Sequence, residues 1–266
     1  AIAVKNNRLD IVKYLSNIRA NTKIKSRYGY SPLFVAFKQG YKTRKKIINF
    51  LLSRKANINS KNLFGFNPLL SAVKKGDYNQ VKYILSKRAN IKAKTYKGNN
   101  AFLIACKNSR IKLAKYFLSK GFNVNVKNYS GTNALIQAID YNDAKMVKFL
   151  LKNGIKINTK QFAKIGGFLV RYIKNGFTPL SLAARKGNIK IAKILIKHGA
   201  NVNEKSNKGF TPLMYAADKR NLKMAKFLVK HGANIYIKNF KGETALDIAN
   251  IWANNDVANY LKRLMK

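Results

Sequence analysis

Acid is what this chain most conspicuously lacks. Its 266 residues hold 9 Asp and Glu against 54 Lys and Arg, a net charge of +45, and the glutamates are Glu204 and Glu243 alone. Histidine occurs twice, cysteine and tryptophan once each, proline four times. Asp, Glu, His and Cys are the residue types that carry most acid–base and metal chemistry, and their scarcity excludes a credible dyad, triad or metal cluster. His198 and His231 sit at the same place in two copies of "KHGAN", with no Cys or carboxylate cluster beside them in sequence. A lone Cys106 allows no internal disulfide and fits a reducing, cytoplasmic compartment. No apolar run reaches the length of a membrane span. The opening "AIAVKNNRLDIVKYL" reads as the middle of a helical unit, so the N-terminus is read as cut, which leaves an upstream signal peptide and export open.

What the chain has instead is repetition. Gly29, Gly65, Gly98, Gly131, Gly176, Gly209 and Gly242 open the same sentence seven times: "GYSPLFVAF", "GFNPLLSAV", "GNNAFLIAC", "GTNALIQAI", "GFTPLSLAA", "GFTPLMYAA", "GETALDIAN". All the prolines, Pro32, Pro68, Pro179 and Pro212, follow the short polar residue of this phrase. That is the first position of a helix capped by Ser, Thr or Asn, where a missing N–H costs nothing. A second apolar run at helical spacing follows, as in "IKIAKILIKHGANVN", and Gly121, Gly154, Gly199 and Gly232 close it as C-caps. The glycines are thereby used in turns and caps, and no phosphate-cradling loop remains. Each unit is helix, tight turn, helix, extended finger. Neither helix buries its apolar stripe alone, so units must stack.

These residues resemble the ankyrin-repeat family over essentially the whole chain, "GFTPLMYAADKRNLKMAKFLVKHGAN" most closely. The resemblance implies an all-α solenoid of stacked helix-turn-helix repeats with short β-hairpin fingers, spanning 1–266 as a partial unit at 1–25, full units at 26–61, 62–94, 95–127, 128–160, 173–205 and 206–238, and a C-terminal cap at 239–266. It implies a binding scaffold, and with the scarcity of catalytic and metal-ligating residues the chain is expected to be a non-enzymatic monomer without cofactor, metal site or small-molecule substrate. The family's His after T-P-L and its Asp three residues before the glycine are both absent here. The units with "NAFL" and "NALI" in place of the Pro phrase are expected to be the least rigid.

The register places the charge. Lys25, Lys61, Lys94, Lys127, Lys205 and Lys238 lie four residues before a repeat glycine, on the fingers, and Lys160 holds the equivalent place ahead of an insertion. Lys38, Lys74, Lys75, Lys107, Arg185, Lys186, Lys219 and Arg220 fall at the end of the first helix. In the family, these two regions form the binding face. A further ladder, Lys13, Lys82, Lys115, Lys148, Lys193 and Lys226, falls on the second helix. Compositional drift toward Lys, Asn and Ile does not explain why Glu, with codons as rich in A, is missing, which favours selection for positive charge. Aromatics interleave with the finger lysines at Tyr28, Phe64, Tyr96, Tyr129 and Phe240. A protein partner is what the family resemblance implies, and the positive charge points to an acidic one. Sequence-independent binding of single-stranded nucleic acid is the alternative, and an anionic membrane surface ranks below both. Against base readout, lysines outnumber arginines 43 to 11. Trp252 occupies a helix-end slot, as a partner anchor or as the closure of the core.

The spacing of 45 between Gly131 and Gly176 marks an insertion at 161–172, and "FAKIGGFLVRY" within it carries a hairpin signal at Gly166-Gly167. Paired across that turn, Phe162, Ile165, Phe168, Val170 and Tyr172 belong to an extended apolar arm that folds on neighbouring fingers or docks on a partner. A smaller slip of three residues lies in "GYKTRKKIINF", in the turn between two helices.

Two like charges 10 Å apart in water repel by roughly 0.4 kcal/mol before screening, and salt removes more than half of that. Summed over the excess charge, this predicts that thermal melts rise with added salt or a polyanion. Melts that stay flat across a salt series would rule out accumulated self-repulsion.

Overall fold

In the computed structural model, residues 1–18, 20–21, 24–159 and 176–265 are described. Lys160 and the arm residues Phe162, Ile165, Phe168, Val170 and Tyr172 lie outside them. The chain forms two compact units, Ala1–Phe122 and Asn123–Lys266. The boundary falls inside the expected 95–127 repeat, between its second helix and its finger.

The first unit stacks four helix pairs: α1 (Ile2–Lys5) with α2 (Leu9–Asn17), α3 (Pro32–Lys38) with α4 (Lys45–Ser53), α5 (Pro68–Lys75) with α6 (Tyr78–Ser86), and α7 (Ala101–Lys107) with α8 (Ile111–Ser119). First helices pack on first helices, α1 on α3, α3 on α5 and α5 on α7. The second unit repeats the plan with α9 (Ala134–Asp140), α10 (Ala144–Lys152), α11 (Pro179–Arg185), α12 (Ile189–Lys197), α13 (Pro212–Asp218), α14 (Leu222–Lys230), α15 (Ala245–Ile251) and α16 (Asn255–Leu264). Here α9 packs on α11, α11 on α13 and α13 on α15.

The repeat phrase accounts for each first helix from α3 onward. Ser31, Asn67, Asn100, Asn133, Thr178, Thr211 and Thr244 all accept a hydrogen bond from the backbone N–H three residues on. Asn100 and Asn133 do so without a following proline, so the cap itself starts those helices. Seven residues after each glycine stands an alanine, Ala36, Ala72, Ala105, Ala138, Ala183, Ala216 or Ala249, all with at most 1% exposure. Without a long side chain at that seam, neighbouring first helices approach closely. In the second helices the buried set recurs at i, i+1, i+4, as Ile47, Ile48, Leu51 or Met224, Ala225, Leu228.

The second helices have caps that sequence reasoning overlooked. Asp77, Asp143, Asn188, Asn221 and Asn254, each twelve residues after a repeat glycine, accept from the N3 amide. The asparagines of "ANIN" and its copies also have a structural task. Asn59 Oδ1 accepts from Asn90 N at 2.9 Å, Asn125 from Lys156 at 2.7 Å, Asn158 from Asn201 at 3.1 Å, and Asn203 from Asn234 at 2.9 Å. Each bond ties one repeat to the next.

The fingers are narrower than hairpins. Around Gly29, Gly65, Gly98, Gly131, Gly209 and Gly242 two backbone bonds close a tight turn, as with Asn62 N to Phe66 O at 2.8 Å and Gly65 N to Asn62 O at 3.0 Å. Regular pairing goes no further than isolated bridges at Lys94–Asn100 and Lys127–Asn133 among the described residues. So short a ladder makes no strand. The three-residue slip lengthens the turn between α3 and α4 and presents Arg44, which donates to Val4 O at 3.1 Å, Lys5 O at 2.7 Å and Gln39 O at 3.1 Å.

Replacing Ala216 by leucine is expected to force α13 away from α11 and α15 and to destabilise the protein by about 2 kcal/mol or more, read as a lower urea midpoint. An unchanged midpoint would show that the alanine seam is loosely packed.

Candidate partner-binding surface

The finger turns rest on a neutral acceptor three residues before the glycine, where the family has Asp. Asn62 Oδ1 accepts from Phe64 N and Phe66 N at 3.0 and 2.9 Å, and Asn239 Oδ1 from Lys241 N and Glu243 N at 2.8 and 3.0 Å. Thr95 and Ser206 accept through their hydroxyls. Asparagine performs this bonding without a charge. The scarcity of acid therefore reaches even this structural position.

Fingers stack through their glycines. Gly209 has φ +77, and a Cβ there would stand 2.7 Å from Phe240 N and 3.0 Å from its ring. Gly65, also at φ +77, is crowded in the same way by Tyr96. Tyr96 and Phe240 thus each stand against the glycine of the preceding repeat, while Gly29 meets the backbone of Asn62 and Leu63 instead.

Tyr28, Phe64, Tyr96, Tyr129 and Phe240 are all exposed, Phe240 at 72%. Phe177 and Phe210 are different: their rings pack 5.1 and 5.2 Å from that of Tyr215, whose buried hydroxyl, its pKa pushed up by desolvation, donates to Ser206 Oγ at 3.0 Å. Trp252 is 51% exposed and so does not close the core; Val257, Ala258 and Leu261 of α16 do. Its carbonyl accepts from an Arg220 guanidinium nitrogen at 2.8 Å.

The candidate cations divide by what holds them. Lys75 Nζ donates to Lys38 O at 2.6 Å, and Lys186 Nζ to Asp140 O at 2.7 Å with Asp140 Oδ1 at 3.0 Å, so both close the carbonyl end of a neighbouring first helix. Lys25 Nζ donates to Lys61 O at 3.1 Å. Others lie over rings: Lys38 over Tyr30 at 4.3 Å, Lys61 over Tyr96 at 5.4 Å, Lys74 over Phe66 at 5.6 Å, and Arg185 over Phe177 at 5.2 Å. Lys94, Lys107, Lys127 and Lys238 are exposed on the surface and Lys205 is half-buried.

In the first unit, fingers and first helices enclose a groove of about 640 Å³. Tyr30, Phe64, Phe66 and Tyr96 contribute rings to it, Leu63 and Ile104 aliphatic surface, and Lys74, Lys97 and Lys107 its ionisable cations. No carboxylate lines it. The corresponding hollow of the second unit, about 360 Å³, brings Arg185, Lys208, Lys219 and Lys241 together with Asp218, Glu243 and Trp252. The sign changes at the slot nine residues after each glycine, which holds Lys38, Lys74 and Lys107 in the first unit but Asp140, Arg185, Asp218 and Ile251 in the second. Sequence reasoning collected the cations and passed over the acids in the same slot. It also missed Leu63 and Lys97, which lie one residue from Phe64 and Tyr96.

Other polar groups serve the fold. His198 and His231 bring Nδ1 to backbone oxygens of Ile194 and Phe227 at 2.8 and 2.7 Å, and Cys106 is buried. The Asp247 carboxyl is held below the usual range by the amide and hydroxyl of Thr244, which it caps. Among the described residues, no group of three His, Cys, Asp or Glu side chains is placed to hold a metal, and no helix is long and apolar enough to cross a membrane.

A family model described as ankyrin repeats (3 copies) matches residues 1–95, 69–161 and 166–239. Among solved structures, the ankyrin repeat domain of Bcl-3, a member of the IkappaB protein family, is similar with a TM-score of 0.70 and 24% identity, covering 88% of this chain and 99% of that one. A chain from the complex of the predatory endopeptidase Bd0816 of Bdellovibrio bacteriovorus with the immunity protein Bd3460 is similar with a TM-score of 0.63 and 28% identity, covering 73% and 96%. No curated protein matches.

The two classes of lysine are separable by substitution. Lys186→Met removes a bond to a helix end and is expected to cost about 1 kcal/mol, the charge-assisted bond being discounted for its partial exposure. Lys74→Met, which loses only a ring contact, is expected to cost under about 0.5 kcal/mol. Equal shifts in urea midpoint would remove the distinction.

Proposed function

The chain belongs to the ankyrin-repeat family, and from that premise we propose that it binds an acidic protein through its basic fingers and first-helix ends. Ankyrin repeats generally mediate protein–protein interaction, and the fold is typically a non-enzymatic scaffold. The observation that carries the acidic partner is the exposed interleaving of fingertip aromatics with cations on a chain of +45. Complementary charge steers the encounter, and the rings give it apolar area at the centre of contact. That one of the similar solved chains comes from a protein–protein complex accords with this reading.

Single-stranded nucleic acid is the second reading, favoured by the same alternation of ring and lysine. The excess of lysine over arginine, 43 to 11, and the spread of cations onto the second helices as well as the fingers weigh against it, because they favour neither base contacts nor one dedicated strand-binding groove.

Fluorescence polarisation with an acidic peptide, single-stranded RNA and duplex DNA separates the readings. The acidic peptide is expected to bind at physiological salt, while nucleic-acid binding fades steeply between low and physiological ionic strength. Sub-micromolar nucleic-acid binding that survives physiological salt would reverse the order.

A further inference from the structure

The cations of this chain are spread widely, but carboxylates are not. Between Ala1 and Phe122 the acids are Asp10 and Asp77. Asp10 is paired with Arg8 at 2.7 Å, its pKa held down at about 2 by that bond, and Asp77 caps α6. Neither reaches the groove. In the second unit, Asp218 pairs with Lys219 at 3.0 Å and Glu243 accepts from Asn239 at 2.8 Å, so that hollow carries its own counter-charges.

The first unit's groove also has the larger apolar lining. Leu63 and Phe64 are 62% and 64% exposed on one finger, and Tyr96 is 61% exposed on the next. Three large apolar side chains open to solvent around one cavity leave room for an inserted side chain. Around them stand Lys74, Lys97 and Lys107, a rim of cations at an apolar centre.

Resting on the reading of an acidic protein partner, we propose that the partner is gripped by the first unit alone: an extended segment lays one large apolar or aromatic side chain between Leu63, Phe64 and Tyr96, and carboxylates on either side of it meet Lys74, Lys97 and Lys107. Charge complementarity selects this groove over its counterpart, because an acidic segment in the second unit would meet Asp218 and Glu243. A purely polyanionic partner would use the cations of both units alike and gain nothing from an apolar anchor. The proposal therefore separates a defined peptide site from general attraction to negative charge.

The test uses the full chain and a labelled synthetic peptide with one phenylalanine flanked by glutamates, beside the same peptide with alanine at that position and a single-stranded RNA. Binding is read by fluorescence polarisation at physiological salt. Lys74→Glu with Lys97→Glu is expected to weaken the phenylalanine peptide about tenfold or more, and the matched change in the second unit, Lys208→Glu with Lys241→Glu, by less than about threefold. Phe64→Ala, at an exposed position that leaves folding intact, and the alanine peptide should each lose about tenfold. Equal losses from the two charge reversals, or equal binding of both peptides, would overturn the localised site while leaving an acidic partner in place. No binding of either peptide, with tight binding of RNA, would overturn the acidic-protein reading itself.

Discussion

The stacking of one first helix on the next is the contact on which everything else in this protein depends. A seven-residue helix such as α7 or α13 is too short to persist alone in water, and its apolar face is too small to fold against its own partner helix only. Stability comes from repetition of the interface, with alanine at the seam, a Ser, Thr or Asn cap at each first-helix start from α3 onward, and asparagine bonds to the next repeat at Asn59, Asn125, Asn158 and Asn203. Local elements are individually marginal and cooperatively sufficient. The fingers inherit their positions from this stack, and the groove exists because the fingers stand at a fixed height above the first helices.

The same architecture explains how a chain of such charge folds with so few acids. Among the described residues, carboxylates pair with Arg8, Lys186 and Lys219. Elsewhere the cations find other negative ends. Lys75 and Lys186 meet backbone carbonyls at helix C-termini, and Lys112 lies 4.5 Å from the ring centre of Tyr78. Helix ends and ring faces are partial negative charges that involve no titratable group. A carboxylate on the groove would neutralise it, whereas a carbonyl or ring supports a lysine and leaves the net charge positive.

Most of the fold was legible in the residues, and the reason is periodicity. The caps at Asn67 and Thr211, the buried alanine seven places after each glycine and the C-capping glycines recur in register, so one reading serves every copy. What escaped was less periodic or hidden in composition. Asp77 and Asn188 as second-helix caps, and Asn59 and Asn203 as links between repeats, were visible only as abundance of polar residues, because a short side chain does not reveal from sequence which amide it will meet. The site was legible in part. Lysines could be assigned to faces, but those held by a carbonyl could not be picked out, since Lys25, Lys75 and Lys186 each meet an oxygen more than thirty residues away.

The sequence by itself determined the repeat, its first-helix caps, its turns and the sign of its surface, because each of these depends on residue type at short spacing. The tertiary structure alone decided that Trp252 stays half exposed, that Lys75 and Lys186 secure helix ends, and that Leu63, Phe64 and Tyr96 open onto one groove without a carboxylate. Those are relations between separate repeats. They arise only when stacking brings side chains remote in the chain within a few ångströms, where direction and distance, rather than composition, set what a charge or a ring can do.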